Sequence, residues 1–336
     1  MPAPTQSTAA TDRFIVGVDL GGTNLVVGAT SADGSRQFGM YSVPTRADLG
    51  ADAVVARIAE QIERVVAEAT STLGAPRTHC VGVGIGSPGP LDRETGVVLF
   101  TPNLGWRDFP LRDRVQDAVR LPATLDNDAN CATLGEWWLG AARGAKHVVG
   151  LTLGTGIGGG LILDGRLYHG ISDVAGELGH MTIDSNGRRC GCGNYGCLEA
   201  YASGSAIAER ARESLAGGEP SSLPRLVGGD LSKLTAAHVY DAAKDGDELA
   251  IGVVRDTARF LGIGVANLLN AFNPEVVVLA GGVTQAGDAL FEPMRAEVRR
   301  RAFKPAVDAC RIVPGVLPNA GVIGAIATFA QRQGLM

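Results

Sequence analysis

The chain has no excess of positive charge and no basic run: 30 Lys and Arg stand against 35 Asp and Glu, for a formal charge of -5. Nucleic-acid partners need clustered cations to neutralise phosphates, so no nucleic-acid partner is expected. No stretch reaches 18 uninterrupted apolar residues, which argues against a membrane partner. Residues 1–12 are small and polar without an apolar core segment, so a disordered leader is expected there rather than a signal peptide. A disulfide framework is also lacking. Of six cysteines, Cys80, Cys131 and Cys310 stand singly in apolar or helical surroundings and read as packing thiols. Free thiols favour a reducing compartment, so a cytoplasmic protein is expected. Charged residues make up 19% and hydrophobic ones 45% of the 336, which suits a globular chain long enough for two domains.

Glycine, by contrast, is abundant at 47 residues, about twice the usual share, and it gathers in a few loops. The strand pattern Phe14–Val18 runs into Asp19-Leu-Gly21-Gly22-Thr23, and a second strand follows at Leu25–Ala29. Backbone N–H groups of such a hairpin can crowd around an anion. Asp19 sits where phosphates would lie and cannot bind them itself, so it is expected to hold Mg2+, directly or through water. The pattern recurs about 130 residues later. Val149-Gly-Leu-Thr-Leu153 matches Val16-Gly-Val-Asp-Leu20, and Gly154-Thr155-Gly156 follows as Gly21-Gly22-Thr23 does. Two hairpins of one build predict two related domains, each lending a glycine turn to a nucleotide in the cleft between them. A buried strand at Val276–Ala280 delivers Gly281-Gly282, and a missing side chain suits contact with the flat face of a nucleoside.

Between these turns, Val54, Val55, Ile58, Ile62, Val65 and Val66 recur at helical spacing over 50–70. An apolar strand at Cys80–Ile85 ends in the stiff loop Gly86-Ser-Pro-Gly89-Pro90. A strand at 123–126 precedes a helix from Asn127 to about Leu139. Its N-terminus favours a carboxylate, so capping is open to Asp128, although Asn127 or Asn130 could cap equally well. Helices are further expected over 200–216, 236–244, 247–269, 286–303 and 321–332, with a loop over 217–229 and a strand at 311–313. The alternation predicts an α/β fold with largely parallel sheets.

The densest chemistry lies between Glu177 and Glu199. Cys190, Cys192 and Cys197 are separated by glycines, and His180 stands ten residues before the first of them. Turns at the glycines let three thiolates converge with one imidazole, a complete tetrahedral set for structural Zn2+. A metal that pins this loop also pins Glu177 and Glu199, and a ligand histidine can turn its other nitrogen toward a guest.

Taken together, Asp19-Leu-Gly-Gly-Thr, Asn127-Asp-Ala-Asn, Gly154-Thr-Gly, Glu177-Leu-Gly-His, the cysteine cluster and Ala280-Gly-Gly resemble the ROK family. That family comprises bacterial sugar kinases and sugar-responsive repressors. The resemblance runs from about Phe14 to Phe329 and looks closest to the glucokinase branch. It implies a two-domain actin-like (RNase H-like) α/β fold with a zinc-stabilised sugar-binding loop. Residues 13–130 plus about 318–336 would form the N-terminal subdomain, and 131–317 the C-terminal one with the zinc motif and ATP-binding turns. Asp128 is implied as the catalytic base, with Gly89, Asn103, Asn127, Glu177, His180 and Glu199 around the sugar. Asp19, Gly21, Gly22, Thr23, Gly154, Thr155, Gly156, Gly281 and Gly282 are implied around ATP. Asp173-Val174 stands where smaller residues would be expected.

The implied activity is transfer of phosphate from ATP, with Mg2+, to a hexose, most simply D-glucose to glucose 6-phosphate. Other readings are a kinase for N-acetylmannosamine, fructose or allose, a polyphosphate donor, or a non-catalytic sugar-sensing regulator. A regulator of this family carries a helix-turn-helix domain ahead of the first glycine turn, and only 18 residues precede Asp19 here. A homodimer or homotetramer is implied by the relatives.

Overall fold

The computed structural model describes residues 12–336, so the expected leader lies, apart from Asp12, outside the described residues. Contacts divide the chain into two units. The first holds the residues up to Gly144 together with Leu167–Ala175 and Leu317–Met336, and the second holds Ala145–Arg166 and Gly176–Val316. The boundary expected after Asn130 would cut the helix Asp128–Trp138. The first unit keeps that helix whole.

In the first unit, strands β1 (Phe14–Leu20), β2 (Asn24–Ser31), β3 (Gln37–Pro44), β4 (Cys80–Ser87) and β8 (Ala123–Asn127) form one sheet in the order β3-β2-β1-β4-β8. A small sheet of β5 (Leu91–Asp92), β6 (Val97–Thr101) and β7 (Trp106–Phe109) stands apart from it. The helix Ala51–Leu73 buries the stripe read from its spacing, Val54 to Val66. The closing helix, Ala320–Arg332, is buried on nearly every side, as a helix apolar all round must be. Close backbone approach makes this possible. A Cβ at Gly84 of β4 would lie 1.7 Å from the Ala325 carbonyl oxygen, and one at Gly324 would lie 1.5 Å from that of Cys131.

In the second unit, β9 (Val148–Leu153), β10 (Ile157–Leu163), β12 (Val276–Ala280) and β13 (Arg311–Pro314) lie in the order β10-β9-β12-β13. The two-residue strand β11 (Arg166–Leu167) falls at the boundary of the units. Long helices Gly204–Ala216, Ala236–Lys244, Glu248–Phe272 and Asp288–Arg301 bury one core, with Leu261, Val265 and Leu269 at its centre.

The sheets are mixed rather than largely parallel. β1 and β2, like β9 and β10, pair antiparallel, while β1–β4, β4–β8, β9–β12 and β12–β13 pair parallel. A hairpin of a few residues can only return antiparallel, so the glycine turns dictate the mixture. Each unit therefore repeats one pattern, a hairpin followed by two parallel neighbours, where the sequence repeats Val-Gly-x-x-Leu.

Three further stretches differ from their sequence pattern. The stretch 200–216 breaks at Ser203, whose hydroxyl caps the helix Gly204–Ala216. The expected loop 217–229 contains a helical turn, Leu223–Leu226, opened by Pro224. The expected helix 286–303 begins later. A 3-10 turn at Gly282–Ala286 ends on Gly287 at φ 59, and the helix proper is Asp288–Arg301. No described helix is long and apolar enough to cross a membrane.

Candidate active site

On the first unit, Asp19 stands at the end of β1, and the turn after it is closed by Gly21 N–H donating to the Asn24 carbonyl at 2.8 Å. Thr45 braces the turn: its hydroxyl donates to the Gly21 carbonyl at 2.7 Å and its N–H to that of Thr23 at 2.8 Å. Gly22 abuts Asn103, since a Cβ at Gly22 would lie 2.8 Å from the Asn103 Cβ. Asn127 is the cap of the helix Asp128–Trp138, its Oδ1 accepting from Ala129 N–H at 2.9 Å and Asn130 N–H at 3.1 Å. Capping therefore falls to Asn127. Asp128 becomes the first helical residue, and its Oδ1 accepts from Ala129 N–H at 2.8 Å. Gly89 lies against the cap: a Cβ there would sit 3.6 Å from Asn127 Nδ2.

Burial, and then the negative charge of Asp128, push the Asp19 carboxyl up from 3.8 to about 7. Crowded carboxylates of this kind fit a divalent cation, whose charge would offset both. Without magnesium, the folded chain holds a proton on Asp19 between pH 4 and 7 that the unfolded chain has lost. Stability then falls as pH rises through that window, at up to about 1.4 kcal/mol per pH unit. Asp19 is only half-buried by exposed surface, so screening reduces the effect. We expect Asp19→Asn to gain about 1–2 kcal/mol on the wild type between pH 5 and pH 8. Urea unfolding in magnesium-free buffer measures this, and parallel pH profiles would refute it.

On the second unit, the 3-10 turn Leu178–His180 sets His180 Nε2 3.8 Å from Glu177 Oε2. Glu199 opens the helix Glu199–Ala202, and its Oε2 accepts from Ile157 N–H at 2.8 Å while Oε1 lies 3.7 Å from Cys190 Sγ. Gly156 lies against that carboxylate: a Cβ there would sit 2.4 Å from Glu199 Oε2, so the Glu199 side chain would have to shift. Gly156 thus borders Glu199, a neighbour its sequence position did not suggest.

The four candidate donors converge. Ligand atoms of His180, Cys190, Cys192 and Cys197 all lie within 4.8 Å of one another. Cys190 Sγ is 3.7 Å from His180 Nδ1, and Cys192 Sγ is 3.7 Å from Cys197 Sγ. Zinc–sulfur bonds of about 2.3 Å at tetrahedral angles put ligand sulfurs about 3.8 Å apart, so the set fits Zn2+. His180 presents Nδ1 to the cluster, which leaves Nε2 on the side of Glu177. Burial pushes the Cys190 thiol up to about 12 and raises that of Cys197, while a backbone N–H from Asn194 lowers that of Cys192.

The same unit encloses a cavity of about 680 Å3 lined by Gly154, Thr155 and Gly282. Sequence reading missed its remaining walls, among them Thr235, Tyr240 and Lys244. These three come from the helix Ala236–Lys244 and its cap, and carry no local motif; only the Thr235/His238 capping box marks the spot. Gly281 does not line the cavity. Its φ is 99, and a Cβ there would lie 2.6 Å from the Leu153 carbonyl oxygen, so it serves the packing of β12 on β9.

Residues 15–332 match the model of the ROK family. The chain is 38% identical over 330 residues to the glucokinase of Halalkalibacterium halodurans, covering 97% of each chain. It is 40% identical over 322 residues to the glucokinase of Thermotoga maritima, covering 95% of this chain and 98% of that one. Among solved structures, a ROK family glucokinase from Streptomyces griseus in complex with glucose and AMPPNP superposes with a TM-score of 0.78 at 35% identity. That match covers 94% of this chain and 98% of the other.

Proposed function

The chain belongs to the ROK family, and on that premise we propose that it is an ATP-dependent glucokinase, forming glucose 6-phosphate and ADP. The observation that carries this reading is the corner at the end of β8, where Asn127 caps a helix whose first residue is Asp128, within reach of the charge of Asp19. A sugar hydroxyl, a proton acceptor and the phosphates of a nucleotide are wanted at one such place. Relatives named glucokinase, matched over nearly the full length, agree with it.

Phosphoryl transfer passes through a loose transition state, so positioning and charge neutralisation matter more than base strength. Asp128 takes the proton of the sugar 6-hydroxyl as its oxygen bonds to the γ-phosphorus and the bond to the ADP oxygen breaks. On the first unit Asn103 and Asn127 are read as partners of sugar hydroxyls, with Gly89 leaving space beside Asn127, and on the second unit Glu177, His180 and Glu199 are read so. An epimer that leaves one of these polar groups unpaired is penalised. The Gly21 N–H is spent on closing its own turn and that of Gly154 on the Gly156 carbonyl. On the first unit the N–H groups of Gly22 and Thr23 are therefore read as phosphate donors and on the second that of Thr155, with the nucleoside in the cavity beside Gly282. Mg2+ held by Asp19 supplies positive charge at the phosphates when bound with ATP. Zn2+ held by His180, Cys190, Cys192 and Cys197 is structural and keeps Glu177 and Glu199 in place. The two units are read as the subdomains of an actin-like fold, and the free thiols suit the cytoplasm.

A coupled ATP-to-ADP assay over a hexose panel tests the proposal. Turnover highest on glucose supports it. Preference for N-acetylmannosamine, fructose or allose would move the substrate and keep the chemistry. Tight sugar binding by calorimetry with no turnover on any hexose would overturn the enzyme reading in favour of a sensor.

A further inference from the structure

One charged cluster on the first unit belongs to none of the site residues assigned so far. Asp126, only 3% exposed, directly precedes the Asn127 cap. Its Oδ1 accepts from the Asn127 backbone N–H at 2.8 Å and from Asn130 Nδ2 at 3.3 Å. Its Oδ2 lies 2.9 Å from His169 Nε2 and 3.5 Å from Arg93 Nη1. Arg93 Nη1 in turn lies 2.8 Å from His169 Nδ1 and 2.6 Å from Nε2. Asp173 closes the chain, accepting from Arg93 Nε at 3.2 Å and from the Arg93 backbone N–H at 3.0 Å.

Donor logic limits the roles. An ionised carboxylate only accepts, so the ring nitrogen facing Asp126, Nε2, carries the proton. An arginine only donates, and Arg93 Nη1 stands within hydrogen-bond distance of both ring nitrogens, so it donates to whichever carries no proton. The ring is thereby held between Arg93 and Asp126. What the chain of bonds does is hold a buried carboxylate in one orientation, since stripping donors from such a group is costly. That carboxylate grips the N–H of Asn127, and so sets where β8 ends and the helix carrying Asp128 begins. Residues Leu167–Ala175 belong to the first unit although the second unit flanks them in sequence, and His169 and Asp173 are their polar anchors. The unusual Asp173 acquires a purpose here.

We propose that His169, clasped between Arg93 and Asp126, is a positioning residue that fixes the Asn127–Asp128 corner for phosphoryl transfer. The inference rests on the kinase reading above. Misplacing a catalytic group by about 1 Å costs on the order of 10²-fold in rate, whereas the sugar and nucleotide are held mainly by other residues. Glutamine can still donate to Asp126 through its amide nitrogen and accept from Arg93 through its oxygen; leucine can do neither.

The test compares His169→Leu and His169→Gln with the wild type in steady-state kinetics and in amide hydrogen exchange at Asn127. We expect His169→Leu to lose about 10- to 100-fold in kcat, with the KM values for glucose and ATP within about two-fold, and His169→Gln to recover most of the loss. Exchange at the Asn127 amide should quicken in His169→Leu and not in His169→Gln. A His169→Leu enzyme with wild-type kcat and an equally protected Asn127 amide overturns the proposal, as does an equal loss in both variants. Should the wild type phosphorylate no hexose at all, the kinase reading fails, and the exchange at Asn127 alone then decides whether His169 positions the corner.

Discussion

Asp128→Asn is expected to lower kcat by about 10²–10⁴-fold, the range that removal of a positioned general base commands. Asparagine keeps the shape and can still accept from Ala129 N–H, as Asp128 Oδ1 does at 2.8 Å, so the helix and its Asn127 cap should persist. It cannot take a proton from the 6-hydroxyl, however. The glucose KM should therefore change much less than kcat, the pattern of an interaction used in the transition state. The same substitution removes the charge that contributes, after burial, to the raised Asp19 carboxyl. Asp19 should consequently titrate lower in the variant, although burial still holds it above 3.8. Stopped assays of kcat, with unfolding curves to verify the fold, measure the effect. An Asp128→Asn enzyme within tenfold of wild-type kcat would remove Asp128 from the role of base.

The second large effect concerns the metal loop. Cys197 is buried and Cys192 exposed, so Cys197→Ser strikes the inner side of the cluster, where water cannot compensate for a lost ligand. Structural zinc contributes about 10–16 kcal/mol to the folding of small zinc domains. Here the rest of the second unit has its own core, and the expected loss is local. Elemental analysis should find about one zinc per wild-type chain and clearly less in Cys197→Ser. The glucose KM should rise by about 10- to 100-fold, because Glu199 and His180 lose the frame that holds them. ATP affinity should change little, since Thr235, Tyr240 and Lys244 stand on other elements of the cavity wall. Loading should also be easier at higher pH. The Cys190 thiol at about 12 must release its proton to bind metal, so apparent affinity rises as protons become scarce. A wild-type chain without zinc, or a Cys197→Ser enzyme with unchanged glucose KM, would refute this account.

The sequence by itself determined the features whose causes are local. Glycine turns at Gly21-Gly22 and Gly154-Thr155-Gly156 were legible because a hairpin needs its two strands and nothing distant. The set His180, Cys190, Cys192 and Cys197 was legible for the same reason, its ligands lying within a single stretch joined by turns. The amphipathic helix over 50–70 and the apolar strand at 276–280 announced themselves by period and composition. The sugar-side roles of Asn103, Gly89 and Asp128 came only through resemblance; local pattern marked no more than a helix start at Asp128 and a stiff loop around Gly89.

Tertiary structure decided what distant residues share. The strand Gln37–Pro44 and the helix Leu111–Val119 escaped notice, the first being an edge strand with most of its side chains partly exposed. That Asn127 rather than Asp128 caps the helix was decided by the exit geometry of β8. Gly156 borders a carboxylate 43 positions away, Glu199, and Gly84 the backbone of a helix at the far end of the chain. Asp126, His169 and Arg93 meet across separations of 43 and 76 residues. A residue's local pattern reports what its own turn or strand requires. It carries no record of a partner brought up by another element, because that requirement is imposed by packing alone.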